Sequence, residues 1–213
     1  MLPSAFHMAL SRVTGLQPMG IDRYSTKRYA RRFLRAAAGL MLSPWLVPSA
    51  AAATLSGNLE GTLDVSGSPY QVVANITVQT GKTLTLSEGV VLLMGPGVGL
   101  TVNGALVADG TQAAPVVITS SQDSSAGGSG TGAAGQWGVL QFYNSSGSRL
   151  SNTSVRFGQK IALAGSSPQL NSVTIATMSA VAMTVDATSF PYGSGNSAFG
   201  SPINGVDLPY CSV

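Results

Sequence analysis

Short runs of alternating apolar and polar residues that recur at a fixed spacing constrain this chain more than any other feature. The runs are Ile76 to Val78, Leu84 to Leu86, Leu100 to Val102, Leu106 to Ala108, Val116 to Ile118, Ile161 to Leu163 and Val173 to Ile175. A period of two over so few residues predicts β-strands. Between the runs stand Gly81, Gly89, Gly95-Pro96-Gly97, Gly104, Gly110, Gly147, Gly158 and the stretch Gly165 to Pro168. These are turn residues, and no helical period appears after residue 53. The runs also repeat. Leu150, Val155, Ile161, Ala162 and Leu163 have counterparts 20 residues on in Leu170, Ile175, Val181, Ala182 and Met183. Ile76 to Val78 matches Leu100 to Val102 at an offset of 24, and Leu84 and Leu86 match Leu106 and Ala108 at 22. A sandwich or an up-and-down barrel has short strands but no reason to keep one coil length, so the offsets predict an all-β solenoid of about 20–24 residues per coil.

In such a coil two or three strands bend around a small core, and each pairs in parallel with its equivalent one coil away. Inward positions must be Val, Ile, Leu or Ala, while outward positions take Thr, Ser, Gln or Asn. Asn152 and Asn171 fall near corresponding places, where their amides either bond one another as a ladder or are ordinary loop asparagines.

Charge divides the chain. Seven of the eleven Lys and Arg residues precede position 36, against one acid, Asp22. From Thr54 onward four bases face seven acids, so no basic stripe remains to hold a nucleic-acid backbone. The basic residues open a leader, residues 1–53: a block KRYARRFLR at 27–35, an apolar stretch at 36–48 and small residues SAAAA at 49–53. This pattern predicts a secretory signal cleaved after Ala51 or Ala53, with Met19 a possible true start. The expected location is therefore outside the cytoplasm, whether secreted, periplasmic or on the cell surface. Arg31-Arg32-Phe33-Leu34 resembles a twin-arginine signal that lacks the residue usually found before Phe-Leu. Pro44 and Pro48 interrupt the apolar stretch, so no membrane span is expected after cleavage.

Ser68-Pro69-Tyr70, the phrases Thr80 to Gly89 and Gly99 to Gly110, Ala114-Pro115 before a strand, and Gln136-Trp137-Gly138 carry a resemblance. Through them residues 69 to about 190 resemble the right-handed parallel β-helix of the pectin-lyase-like superfamily, in particular its bacterial exported members. The resemblance implies right-handed winding. It does not imply one activity, since the superfamily includes lyases, hydrolases and adhesins.

Candidate chemistry is sparse. The only histidine is His7, in the leader, which excludes histidine-based triads and zinc sites from the rest of the chain. The Asp-Asp pair with a nearby histidine that marks β-helix polygalacturonases does not occur. Pectate lyases of this fold gather aspartates for calcium, yet the matching segment, residues 120–136 (SSQDSSAGGSGTGAAGQ), holds one acid, so a flexible loop is expected there and no metal. Glu88 and Asp109 each precede a turn glycine and are read as turn formers. Gly81-Lys82-Thr83 lacks the earlier glycine of a phosphate loop and begins a strand. No catalytic residue and no cofactor are predicted, which leans away from an enzyme. Candidate ligand contacts are Trp137, either stacked on a sugar ring or packed on a turn, and Tyr143; Phe142, Phe157, Phe190 and Tyr192 are further aromatics for an outer groove, although Phe142 and Phe157 share parity with core positions.

The pattern fades after Phe190 into residues 191–213, read as irregular and as a truncated end with a further C-terminal domain in a longer protein. Cys211 then belongs to an abnormal terminus, stays free or pairs between chains. The functional expectation is a structural, adhesive or carbohydrate-binding module that meets extracellular polysaccharide or surface components. The alternatives are a fragment of a polysaccharide lyase or hydrolase, or the start of an autotransporter passenger.

Overall fold

The structure, a computed structural model, describes residues 52–208. The basic and apolar parts of the leader and Cys211 lie outside these residues. Among the described residues every α-helix is missing, and strands follow one another in about seven coils. Coil one holds β1 (Thr54–Asn58) and β2 (Gly61–Leu63), and coil two holds β3 (Tyr70–Val78) and β4 (Thr83–Leu86). Coil three consists of β5 (Val91–Met94), β6 (Leu100–Val102) and β7 (Ala105–Asp109). Coil four follows with β8 (Val116–Ser120), β9 (Val139–Tyr143) and β10 (Arg149–Ser151), and coil five with β11 (Thr153–Arg156), β12 (Lys160–Ala164) and β13 (Gln169–Asn171). Coil six has β14 (Thr174–Ala176) and β15 (Val181–Val185), and coil seven β16 (Ser197–Phe199) and β17 (Ile203–Asp207).

All pairing is parallel and between adjacent coils, which gives three faces. The first runs β5-β8-β11-β14-β16 and the second β6-β9-β12-β15-β17. β3 bends across the corner between them, its first residues pairing with β5 and its last with β6. The third face is β2-β4-β7-β10-β13. Because side chains alternate along each strand, one set from all three faces points inward and stacks in columns. Ile76, Leu100, Leu140, Ile161 and Met183 form one column, and Leu92, Ile118, Val155 and Ile175 another. Every one of these is buried, and each fully buried aliphatic contributes about 1.5–3 kcal/mol.

The expected pairings of Ile76 with Leu100, Leu84 with Leu106, Leu150 with Leu170 and Val155 with Ile175 are all present. Three others are displaced: Ile161, Ala162 and Leu163 pair with Met183, Thr184 and Val185 rather than with residues two earlier. Between paired positions, the path from Ala176 to Met183 is two residues longer than that from Arg156 to Ile161. An even slip leaves inward residues inward, so the core pattern alone does not reveal it.

Corners stack as well. Asn152 and Ser172, then Phe157 and Thr177, then Asn144 are non-glycine residues in the left-handed region, where each L side chain costs about 1–2 kcal/mol. Gly200 (φ 70°) takes the same turn above Thr177, and Gly165 (φ 60°) above Asn144. The two asparagines do not form a ladder: Asn152 Nδ2 donates to the Gly110 carbonyl, and Asn171 Oδ1 accepts from the Ser194 amide. A buried serine column does the joining instead. The Ser145 amide donates to Ser166 Oγ and the Ser166 amide to Ser189 Oγ, so successive turns are tied inside the core.

Two segments expected as a flexible loop and an irregular end carry regular hydrogen bonding. Residues 120–136 fold as a bonded excursion between β8 and β9: Asp123 caps the single 3-10 turn Ser124–Ala126, the Ser129 amide donates to Ser121 O and the Gly130 amide to Gln122 O. Its glycine content answers to crowding, since a side chain on Gly128 would meet the Asp123 amide at 2.6 Å. Beyond Phe190 the chain completes a further coil, with β16 paired to β14 and β17 to β15. That coil was hidden because its strands expose Phe199, Ile203 and Val206, which blurs the alternation.

Candidate ligand groove

The outward residues of the first face form a column of Gln71, Leu93, Thr119, Arg156, Ala176 and Phe199. Leu93 and Thr119 point away from the core and are nonetheless fully buried. The excursion explains this. It leaves coil four at Ser120, and its Gly127 reaches Pro69 of coil two, so it crosses coil three above Leu93.

Its anchor is Asp123, whose side chain is only 4% exposed. Oδ2 accepts from Thr119 Oγ1 at 2.6 Å and from Arg156 Nε at 2.7 Å, and Oδ1 accepts from Ser125 Oγ at 2.7 Å. Arg156 Nη2 in turn donates to Ser125 Oγ at 2.9 Å. Burial by itself raises the Asp123 carboxyl, but the hydroxyls of Ser125 and Thr119 and the Arg156 charge outweigh it and hold the group below the ordinary aspartate range. At neutral pH Asp123 is therefore a carboxylate.

Trp137 closes the other end of the excursion. It is fully buried, and Nε1 donates to the Arg156 carbonyl at 2.8 Å. Gly158 must be glycine here, because a side chain would strike the indole at 2.7 Å. The reading of Trp137 as a sugar platform is thus corrected: its ring has no free face.

Where the excursion ends, the first face opens into a groove of about 450 Å³. Ser154 and Thr174 form its floor, with Asn152 and Ser172 along one corner and Phe157 and Thr177 along the other. Thr111, Gln112 and Pro115 close it towards coil four, and Phe199, 55% exposed, closes it towards coil seven. Arg156 borders it, with its guanidinium 5.9 Å from the centre of the Phe157 ring. The lining is a set of hydroxyls and amides between two phenyl rings, suited to a ligand with many hydroxyls and an apolar ring face. None of the lining residues is a carboxylate. Among the described residues no cluster of three or more His, Cys, Asp or Glu stands close enough to hold a metal ion.

Tyr143 lies elsewhere. It ends β9 on the second face opposite Ala164 and is 51% exposed, so it does not share a site with the groove. Phe142 is core, and Phe190 and Tyr192 are exposed near the third face at coil six. A second, apolar cavity of about 290 Å³ opens between the last coils, lined by Leu170, Ile175, Met183, Tyr192 and Val206. Asp109, read as a turn former, instead accepts both Nε and Nη2 of Arg149 across the third face. Sequence reasoning missed Ser154 and Thr174, although both are polar members of their alternating runs, and it considered Arg156 only as a candidate base beside Arg149 and Lys160. Phe199 carried no such signal.

No protein-family model matches this sequence, and no solved structure matches it. Over 56 residues, 26% of this chain, it is 43% identical to Protein bark beetle of Drosophila melanogaster, and that stretch is 2% of the fly protein. The chain therefore spans a very small part of that relative.

Proposed function

We propose that this protein is an exported parallel β-helix of the pectin-lyase-like kind that binds polysaccharide in the groove of its first face. The observation that supports this best is the groove's lining, in which Ser154, Thr174, Thr111, Gln112 and Asn152 offer hydroxyl and amide partners beside the exposed ring of Phe199. The strands β11, β14 and β16 hold Ser154, Thr174 and Phe199 at fixed spacing, which lowers the ordering cost that a wholly loop-built site would incur on binding. Kinship with the superfamily, export and an adhesive or surface role belong to the same proposal. They draw on the phrases from Ser68 to Thr119, on Gln136-Trp137-Gly138 and on the basic-apolar leader.

The test is retention on a panel of neutral and acidic polysaccharides, scored together with product release. Retention without release is expected, and Phe199→Ala should weaken it about tenfold, or about 1.4 kcal/mol. Release of unsaturated oligosaccharides turns the reading to a lyase. Retention unaffected by Phe199→Ala moves the site off this face. N-terminal sequencing of the exported protein checks the leader: a start at Ala52 or Thr54 is expected, and a start upstream of Lys27 defeats it.

A further inference from the structure

We infer that the groove selects neutral glycans over acidic ones, and that Asp123 sets this preference as a positioning residue by occupying Arg156. The inference rests on the groove being the glycan site. A carboxylate on a sugar ring is best met by the fork of a guanidinium, through two parallel N–H donors. In Arg156 one of the two such edges, that of Nε and Nη2, is already spent on Asp123 Oδ2 at 2.7 Å and Ser125 Oγ at 2.9 Å, which fixes the guanidinium against the excursion.

The charge is compensated too. Asp123 Oδ2 stands 2.7 Å from Arg156 Nε, so its negative charge offsets part of the attraction that the guanidinium exerts on an incoming carboxylate. Asp123 is nearly buried, and solvent does not screen its effect as it would at the surface. No other described cation serves the groove. Lys82 pairs with Glu60 at 2.8 Å, Arg149 pairs with Asp109 on the third face, and Lys160 belongs to β12 on the second. Apart from the charge-compensated Arg156, what a ligand meets is hydroxyl, amide and phenyl, the partners of an uncharged sugar.

The experiment uses the full chain and reads amide hydrogen exchange in peptides covering residues 152–157 and 172–177, so binding elsewhere, including to the basic leader, does not register. The probes are neutral oligomers of glucose, mannose and xylose and galacturonate oligomers of equal length. Wild-type protein should gain protection from a neutral oligomer and none from galacturonate. Asp123→Asn should gain protection from galacturonate that fades as salt is raised, while neutral binding changes by less than about threefold. Thr174→Lys, which leaves the Asp123 cluster intact, should gain the same salt-sensitive response and decides the matter if Asp123→Asn does not fold.

Galacturonate protecting the wild type as well as neutral oligomers do overturns the inference and leaves the groove a glycan site. A folded Asp123→Asn with no gain overturns the role of Asp123, and a Thr174→Lys with no gain overturns the electrostatic argument. Protection by neither class removes the groove reading itself.

Discussion

One outer face of this solenoid has two fates. At coils three and four its outward residues, Leu93 and Thr119, are as buried as the core, whereas in the same column Arg156 of coil five is half-buried and Phe199 of coil seven is open to solvent. The strands are alike in length, pairing and register, so the backbone does not account for the difference. The excursion between β8 and β9 does, by folding over part of the face and anchoring there through the Asp123–Arg156 pair. A parallel sheet supplies a rigid outer surface everywhere; what covers part of it decides where a site remains.

The covered half should be the easier to destroy. Trp137→Ala removes the buried indole, its bond to Arg156 O and its contact with Gly158, and should cost about 3–5 kcal/mol in denaturant unfolding. A loss under about 1 kcal/mol would mean that the excursion is not anchored there. Next comes the ion pair. Asp123→Ala leaves Arg156 and Thr119 without their shared acceptor and should cost about 3 kcal/mol at neutral pH.

The acid limb of stability separates Asp123 from its neighbours. Its folded carboxyl ionises below the usual value of about 3.9, so the pair's stabilisation is fully present above that pH and is lost as pH falls through the lower folded value. Asp64, held low by Ser66, and Asp186, held low by Ser189, contribute acid-labile terms of the same sign. Both remain in the variant. The stability difference between wild type and Asp123→Asn should therefore be constant above about pH 4 and shrink below it. A difference independent of pH would place the effect in packing rather than in charge.

The open half can be improved instead of broken. Thr177 (φ 52°) holds the left-handed corner that Gly200 holds one coil on, and a β-branched residue is strained there. Thr177→Gly should raise stability by about 1 kcal/mol without moving the strands, with thermal unfolding as the measurement. A loss of stability would show that the Thr177 side chain contributes more packing than its backbone costs.

How far these halves were legible depends on what alternation records. Inward positions must be aliphatic in every coil, so Ile76, Leu84, Leu150 and Val155 announced their partners directly. The displaced pairing of Ile161 with Met183 was invisible because a slip of two conserves the inward pattern. The excursion looked flexible because Gly and Ser are common both in loose chains and in tight approaches; only atoms such as the Asp123 amide beneath Gly128 tell them apart. Trp137 and Tyr143 were both visible as aromatics near the start and end of one strand. Nothing in their types says which is swallowed by the next corner. The groove's own residues follow from two facts that no single run contains: which coils the excursion covers, and that coil seven exists.

Tyr143 provides the smallest and most discriminating comparison. Its ring is half exposed, it ends β9 on the second face, and it is absent from the groove's lining. Tyr143→Ala removes little buried area, so its effect on stability should stay within about 0.5 kcal/mol. Glycan retention should not change, in contrast to the tenfold weakening expected of Phe199→Ala, a side chain of nearly equal exposure. Equal exposure with unequal consequence is what a site on one face requires. If Tyr143→Ala weakens retention while Phe199→Ala does not, the binding surface belongs to the second face, where Tyr143 stands opposite Ala164 and next to a row of Thr101, Gln141, Ala162 and Thr184, and the uncovered first face is only an outer wall.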